Sequence, residues 1–131
     1  MAHRTNYASG SKWETIVNYS RAVRVGNIVE VAGTVAVDEK NLLIGEGDPY
    51  LQTKFILQRI EAVLLQTGAT LNNVVRTRLY VTDISQWQEY GRAHGEVFEM
   101  INPVTTMVEV AKLIAPEFLV EIEVTAIINE S

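Results

Sequence analysis

A helix with clear start and stop signals divides this chain of 131 residues into two segments with strand-like patterns. Asp48 followed by Pro49 is typical of a helix N-terminus, because aspartate caps the first turn and proline fits the first helical position. The pattern predicts a helix from there to about Thr67, ended by Gly68. Its apolar side chains recur at the spacing of one helical face: Ile56, Ile60, Val63 and Leu64. This face must be buried against another layer of the fold.

Two strands joined by a tight turn are predicted ahead of this helix, in the stretch NYSRAVRVGNIVEVAGTVAV. Gly26-Asn27 supplies the turn, since both residue types accept the backbone conformation that short hairpins need. In the second strand the predicted apolar face carries Val29, Val31, Val35 and Val37. The opposite face carries Glu30, Ala32 and Thr34, because strand residues alternate between faces.

A further strand and a second helix follow the first helix. The stretch NNVVRTRLYVTD alternates between two sets, Val75, Leu79 and Val81 on one face and Arg76, Arg78 and Tyr80 on the other. Ser85 with Gln88 three residues later has the pattern of a capping box that begins a helix. The helix that follows is predicted to carry a mainly apolar stripe along one face: Trp87, Tyr90, His94, Val97, Phe98 and Ile101. We interpret His94 on this stripe as a core or interface histidine.

Two strands, Val104–Leu113 and Phe118–Ile128, are predicted to finish the chain. In the first, Val104, Thr106, Val108 and Val110 are expected on a buried face, and Thr105, Met107 and Glu109 on the other. The resulting order, ββαβαββ, predicts an α+β two-layer sandwich with both helices on one face of the sheet. We expect one domain over residues 1–131, with residues 1–16 as a loosely packed N-terminal segment.

The sheet face that the two helices cannot cover has an unusual composition. It is predicted to collect Arg76, Arg78, Tyr80, Thr105, Met107, Glu109, Glu121, Glu123 and Thr125. Mixed charges of this kind fit either a face packed against another copy of the protein or a solvated antiparallel sheet. The residues alone leave both interpretations open.

Composition excludes several classes of function. The chain has no cysteine, which excludes disulfides, thiolate chemistry and cysteine metal sites. The net charge of −5 and the scattered basic residues count against nucleic-acid binding. No apolar run approaches the length of a membrane span, so we expect a cytoplasmic protein without a membrane partner. His3 and His94 have no carboxylate at ligand spacing, and we expect neither metal nor cofactor.

Four stretches resemble the RidA/YjgF family of reactive-intermediate deaminases: GNIVEVAGTVAV, VVRTRLYVTDI, PVTTMVEVAKL and VEIEVTAI. The resemblance covers the chain from about Val17 to Ile128. It implies a chorismate-mutase-like fold with a mixed, mainly antiparallel sheet. It also implies a homotrimer with ligand clefts between subunits, which favours an interface on the mixed-charge face. Deaminases of this family hydrolyse enamines and imines to keto acids and ammonia.

The family motif P-x-R-S places a carboxylate-binding arginine where this chain has Thr105, within PVTT. A hydroxyl offers no charge and no planar fork for a carboxylate. The resemblance implies substrate-binding positions at Tyr19, Thr105, Thr106 and Met107, whose backbone carbonyl would help to hold a water, and a water-positioning role for Glu121. We therefore expect an enzyme-like cleft for a small metabolite, without the standard 2-iminopropanoate deaminase activity.

Other interpretations remain open at the level of the sequence. A non-catalytic protein that binds or protects a small molecule would use the same cleft. Glu121 would also suit a structural ion pair with Arg76 or Arg78 across the sheet. A ribonuclease, an old label for parts of the family, is the weakest hypothesis because the chain is acidic and lacks a histidine/lysine cluster.

Overall fold

A six-stranded sheet with helices packed on one face forms the framework of the protein, seen in a computed structural model that describes residues 3–129. The elements in chain order are β1 Arg4–Tyr7, α1 Lys12–Val17, β2 Ala22–Val25, β3 Ile28–Thr34, α2 Pro49–Thr67, β4 Val74–Val81, α3 Trp87–Phe98, β5 Val104–Glu109 and β6 Val120–Ile127. Short 3₁₀ turns precede β4 at Leu71–Asn73 and α3 at Ile84–Gln86.

The strands lie in the order β1-β2-β3-β6-β4-β5. Only β4 and β5 pair in parallel, because α3 connects them as a crossover, and the other neighbours are antiparallel. This arrangement confirms the predicted α+β class, with a mixed and mainly antiparallel sheet. The segment 1–16, whose first two residues lie outside the described range, contributes β1 and most of α1 ahead of the predicted ββαβαββ order.

The helix α2 begins and ends where its sequence signals predict. The Asp48 side chain accepts a hydrogen bond from the Leu51 amide at 3.0 Å, and Pro49 occupies the first turn. Gly68 ends the helix in a left-handed conformation, with φ of 92°. The apolar face of α2 is buried as its spacing predicts, since Ile56, Ile60 and Leu64 have no exposed surface.

The predicted start of α3 at a capping box was wrong. Asp83 caps the 3₁₀ turn Ile84–Gln86, since its carboxylate accepts from the Ser85 amide at 3.0 Å, and α3 itself begins at Trp87 without a side-chain cap. In the predicted stripe, Tyr90 and Phe98 are buried, whereas Trp87 is 56% exposed at the helix start. The helix therefore packs through its middle and C-terminal turns.

Two register shifts overturn details of the predicted strand faces. In β3 the shift between Val31 and Thr34 places Thr34 and Ala36 in the core, in place of the predicted Val35 and Val37. In β4 a shift between Val74 and Arg76 buries Val74 and leaves Val75 40% exposed, so Val75 was also assigned wrongly. An extra residue in one strand inverts the alternation beyond it.

The faces of β5 are inverted relative to the prediction. Thr105 and Met107 lie beside Thr77 and Leu79 of β4, which face the helices, while Val104 and Val108 are 56% and 42% exposed. The parallel register with β4 decides this orientation. Apolar character alone was misleading here, because the valines lie on the face that a single chain leaves uncovered.

The last two strands are also shorter than predicted. β5 ends at Glu109 and β6 begins at Val120, whereas the sequence pattern extended them to Leu113 and Phe118.

Candidate functional site

The sheet face turned away from α2 and α3, called the open face below, carries a row of polar side chains on its two central strands. As predicted, β4 and β6 place Arg76, Arg78, Tyr80, Glu121, Glu123 and Thr125 on this face. Arg78 lies opposite Glu123, and Tyr80 lies opposite Glu121. The antiparallel register therefore brings basic, phenolic and acidic groups together across one strand pair.

Glu123 is the acceptor at the centre of this row. Tyr80 Oη donates to Glu123 Oε1 at 2.8 Å, and Arg78 Nη1 lies 3.7 Å from the same oxygen. The hydrogen bond to Glu123 is the main reason that the pKa of Tyr80 is raised above its ordinary value. Among residues 3–129, Arg78 thus pairs with Glu123, and neither Arg76 nor Arg78 forms the ion pair with Glu121 considered above.

Glu121 differs from its neighbour because its carboxylate lacks such partners. It is half-buried beside the backbone of Gly33, and within the described residues no side chain or amide donates a hydrogen bond to it. Burial raises the pKa of Glu121 above its ordinary value, opposed by the positive charge of Arg21 and reinforced by Glu123. A half-buried carboxylate without a protein donor is suited to holding a water molecule.

Arg21 connects Glu121 to the N-terminal part of the chain. Its side chain is only 7% exposed, and its Nη2 donates to the Gly33 carbonyl at 2.7 Å. The Tyr19 ring lies 5.8 Å from the guanidinium carbon. Arg21 therefore fixes the backbone beside Glu121 and supports the ring of Tyr19.

Tyr19 lines a hollow of about 500 Å³ near the N-terminal edge of the sheet. Asn6, Glu30, Arg78 and Glu123 also line this hollow, and Tyr19 itself is 37% exposed. A tyrosine in this position offers an aromatic surface and a hydroxyl to a ligand.

The remaining predicted site residues divide between the two faces of β5. Thr106 pairs with Arg78 and lies on the open face, while Thr105 and Met107 lie on the face covered by the helices. Met107 packs against the hydrophobic core. The expectation that Thr105 shares a face with Glu121 was therefore wrong, and the two residues do not meet within one chain.

A second polar group surrounds Thr105. The Thr77 hydroxyl lies 2.9 Å from His94 Nε2 and 2.8 Å from the Thr105 hydroxyl. His94 also stacks on Phe98, with ring centroids 4.6 Å apart, and its burial lowers its pKa below the ordinary value. His94 is thus a satisfied, partly buried histidine as predicted, but one connected to an exposed threonine.

Sequence reasoning overlooked Arg21 and Thr77. Arg21 directly follows the Tyr19-Ser20 pair, and its charge immediately before the strand Ala22–Val25 was an available signal. Thr77 lies on the same face of β4 as Leu79 and Val81. A hydroxyl among such core residues needs a hydrogen-bond partner.

Residues 3–129 contain neither a cluster of metal ligands nor a membrane-spanning helix. No group of three or more potential ligands among histidine and acidic side chains is placed to hold a metal ion. No helix in that range has the length and apolar character needed to cross a membrane.

Residues 9–128 match the family model described as Endoribonuclease L-PSP, which covers most of the chain. The chain belongs to the RidA/YjgF family. The crystal structure of Rv2704 from Mycobacterium tuberculosis, a member of the YjgF/YER057c/UK114 family, is similar, with 52% identity and a TM-score of 0.88 over 96% of this chain and 100% of that one. The Rid-family protein YyfA of Yersinia pestis, of unknown function, matches with 30% identity and a TM-score of 0.84 over the same shares.

Sequence relatives within the RidA/YjgF family include proteins with and without a named activity. An uncharacterised protein of Streptomyces coelicolor is 40% identical over 118 residues, which are 90% of this chain and 87% of the relative. The 3-aminoacrylate deaminase RutC of Acinetobacter baylyi is 30% identical over 104 residues, covering 79% of this chain and 82% of the relative.

Proposed function

We propose that this RidA/YjgF-family protein hydrolyses a reactive enamine, imine or related small metabolite, with Glu121 positioning the attacking water. The observation that carries the proposal is the state of the Glu121 carboxylate. It is half-buried, has a raised pKa and receives no hydrogen bond from the described residues, whereas Glu123 two residues later is engaged by Tyr80 and Arg78. A general base needs this combination of partial burial and a free oxygen.

The proposed reaction consumes one water molecule for each carbon–nitrogen bond broken. The water oxygen adds to the imine carbon while one of its protons passes to the Glu121 carboxylate. The nitrogen takes up that proton from Glu121, and the hydroxyl of the adduct then gives its own proton to the nitrogen as the carbon–nitrogen bond breaks, so that ammonia leaves and the carbonyl forms. An enamine enters the same sequence after a proton moves from its nitrogen to its carbon, which gives the imine. The raised pKa of Glu121 supports this role, because a carboxylate with a higher pKa is a stronger base near neutral pH.

The substrate-binding residues of the proposal are Tyr19, Thr105, Thr106 and the backbone of Met107. Their roles follow from the family resemblance, and the name of the RutC relative supports a deaminase-type reaction. Thr105 stands where the family motif has arginine, so a free 2-imino carboxylate would lack its charged partner. A charged hydrogen bond is worth about 1.5–3 kcal/mol, so we expect weak or absent turnover of 2-iminopropanoate.

The proposal places the cleft between subunits of a homotrimer. Thr105 and Glu121 lie on opposite faces within one chain, so they can share a cleft only if a second copy contributes one of them. The open face also has apolar residues suited to an interface, since Ile28, Val104 and Ile127 are 50%, 56% and 43% exposed.

An assay of several enamines tests the function. Amino acids treated with a dehydratase would supply the enamines, and formation of the carbonyl product would be followed with and without this protein. Glu121→Gln should lower the catalysed rate by about 10²- to 10⁴-fold, as expected for loss of a general base.

The matched control is Glu109→Gln, which makes the same chemical change on the edge strand. Glu109 Oε1 accepts from the Ile84 amide at 3.0 Å, and a glutamine oxygen preserves that bond. An equal loss of rate in both variants would contradict the role of Glu121. Ligand binding without turnover of any enamine would favour the non-catalytic binding protein instead.

A further inference from the structure

Three side chains form a hydrogen-bonded row that leads from the interior of the protein to its surface. Thr77 is fully buried, His94 is partly buried and Thr105 is exposed. The Thr77 hydroxyl makes the two short contacts, at 2.9 Å from His94 Nε2 and 2.8 Å from Thr105 Oγ1, and a longer contact of 3.4 Å joins His94 Nε2 directly to Thr105 Oγ1. We call Thr77, His94 and Thr105 the threonine–histidine relay.

The number of protons in the relay limits how it can be arranged. Each hydroxyl carries one proton, and a neutral imidazole carries one on either nitrogen. If His94 Nε2 is unprotonated, it accepts from Thr77, Thr77 accepts from Thr105, and Thr105 offers only lone pairs to the outside. If His94 Nε2 carries the proton, every bond reverses, and the Thr105 hydroxyl can donate to an outside acceptor.

Outside the relay itself, the only acceptor among residues 3–129 that competes for that outward proton is weak. The Pro103 carbonyl lies 3.3 Å from Thr105 Oγ1, longer than an ordinary hydroxyl hydrogen bond. A ligand oxygen or nitrogen at a better distance would therefore displace it. The tautomer of His94 thus decides whether Thr105 acts as an acceptor or a donor toward a ligand.

The relay carries no net charge at neutral pH. Burial disfavours the protonated form of His94, and no carboxylate within residues 3–129 forms an ion pair with it. The exposed end is a hydroxyl rather than a guanidinium. A carboxylate at this position would lose hydration without gaining a positive partner, whereas an uncharged carbonyl, amide or imine would lose little.

We propose that the threonine–histidine relay is a ligand-binding element that recognises an uncharged carbonyl, amide or imine group through the Thr105 hydroxyl, with Thr77 and His94 setting its direction. This inference rests on the proposed function, because it gives the cleft at Thr105 a substrate class. The substrates are neutral carbonyl or imine compounds, such as amides, and not free 2-oxo or 2-imino acids.

Binding of two ligands of matched shape tests the inference. Pyruvamide and pyruvate differ in the amide that replaces the carboxylate, and calorimetric titration can compare them on the assembled wild-type protein. We expect pyruvamide to bind about tenfold more tightly than pyruvate, since the relay supplies no cation. Thr105→Val keeps the shape of the side chain and should weaken pyruvamide binding about two- to tenfold through loss of a neutral hydrogen bond.

The ¹⁵N NMR signals of the His94 ring distinguish a Thr105 that binds the ligand from a Thr105 with a structural role alone. In ¹⁵N-labelled protein, pyruvamide should shift the His94 nitrogen signals, and the shift should be lost in Thr105→Val. His3→Ala assigns the signals, because the chain has two histidines. Thr82→Val is the matched control, since Thr82 lies at the end of β4 and bonds only weakly to the Leu119 carbonyl, at 3.5 Å.

Several results would overturn the inference. The first two are pyruvate binding as tightly as pyruvamide or more tightly, and no detectable binding of pyruvamide. The others are a pyruvamide affinity that is unchanged by Thr105→Val, and His94 signals that do not shift when pyruvamide binds. Two separate measurements distinguish this inference from the proposed reaction. The hydrolase proposal fails if enamine turnover is absent or insensitive to Glu121→Gln, whereas the relay fails if pyruvamide binding to wild-type protein is absent or insensitive to Thr105→Val.

Discussion

The carboxylate of Glu121 occupies the space that a Cβ atom at Gly33 would fill, and such an atom would lie 2.9 Å from the Glu121 carboxyl carbon. The backbone of Gly33 is not in the left-handed region that favours glycine. Its lack of a side chain therefore provides room, not conformational freedom. The bulged end of β3 and the start of β6 meet at this point, and Glu121 depends on that space for its position.

Gly33→Ala is expected to change the position of Glu121 more than the stability of the protein. The colliding atoms belong to a flexible glutamate side chain, which can rotate away at a cost of about 1 kcal/mol or less. The catalysed rate should fall about tenfold or more, because a misplaced base loses its alignment with water. Urea denaturation and the enamine assay, run on the same preparation, measure the two effects.

The double variant Gly33→Ala/Glu121→Gln makes this prediction specific. If Gly33 acts through Glu121, the rate of the double variant should equal that of Glu121→Gln alone. A further loss of rate from Gly33→Ala in the Glu121→Gln background would mean that Gly33 affects the site by another route.

The raised pKa of Glu121 predicts a pH-dependent effect on stability. The folded protein holds the Glu121 proton more tightly than the unfolded chain does, so stability from this group decreases as pH rises from the ordinary glutamate value of 4.5 through the raised pKa. At pH 7 the ionised, half-buried carboxylate is therefore a cost to the fold.

Glu121→Gln, which cannot ionise, should raise the free energy of unfolding at pH 7, and this gain should shrink as the pH falls toward 4.5. Urea titrations at both pH values and one fixed protein concentration measure it. Glu39→Gln, at an exposed loop position, should change the free energy of unfolding by no more than about 0.5 kcal/mol at either pH. A constant gain for Glu121→Gln across the pH range would contradict the burial of an ionisable group as its cause.

Association of the open face can be tested at a pair of isoleucines. Ile28 and Ile127 are cross-strand partners, 50% and 43% exposed in the single chain. We expect wild-type protein to scatter light as a particle about three times the chain mass of 14.6 kDa, and Ile28→Lys/Ile127→Lys to give the single-chain mass. Burying two unpaired ammonium groups in an interface is strongly unfavourable.

Leu65→Lys is the matched control for this pair. Leu65 is 59% exposed on α2, away from the open face, and its replacement should leave the particle mass unchanged. A wild-type protein that is monomeric at micromolar concentration would remove both the interface and the composite cleft.

Thr105→Arg tests the missing carboxylate anchor directly. A guanidinium at position 105 should increase pyruvate affinity, by about tenfold if one charged hydrogen bond forms, while recovery of 2-iminopropanoate deamination is not expected. Gln66→Arg adds the same group at an exposed position of α2 and should give no comparable gain. Titration of both variants with pyruvate distinguishes a charge placed in the cleft from a charge placed elsewhere on the protein.

The parts of the fold that were predicted correctly are those with local chemical signals. Asp48 and Gly68 bound α2 in the sequence and in the structure, because a cap and a left-handed C-terminus are decided by a few neighbouring residues. The α+β class and the order of elements along the chain from β2 to β6 follow in the same way from hydrophobic patterning, whereas β1 and α1 were not predicted.

The errors arose where a distant strand decides the outcome. The side of β5 on which Thr105 lies depends on its register with Thr77, and the valines of β5 are exposed in the single chain. The bulge before Thr34 depends on pairing with β6. Glu121 was identified from the resemblance, but the room made by Gly33 and the neighbouring Arg21 became apparent only in three dimensions.

The parallel pairing of β4 and β5 through α3 means that the threonine–histidine relay comes from one continuous strand–helix–strand unit. Thr77, His94 and Thr105 lie on its three successive elements, whereas Glu121, Gly33 and Tyr19 belong to the remainder of the chain. Under the two proposals, the ligand contact at Thr105 and the activation of water by Glu121 are thus encoded in separate stretches of sequence. Exchange of residues 74–109 between family members would then alter the group recognised at position 105 while Glu121 is retained.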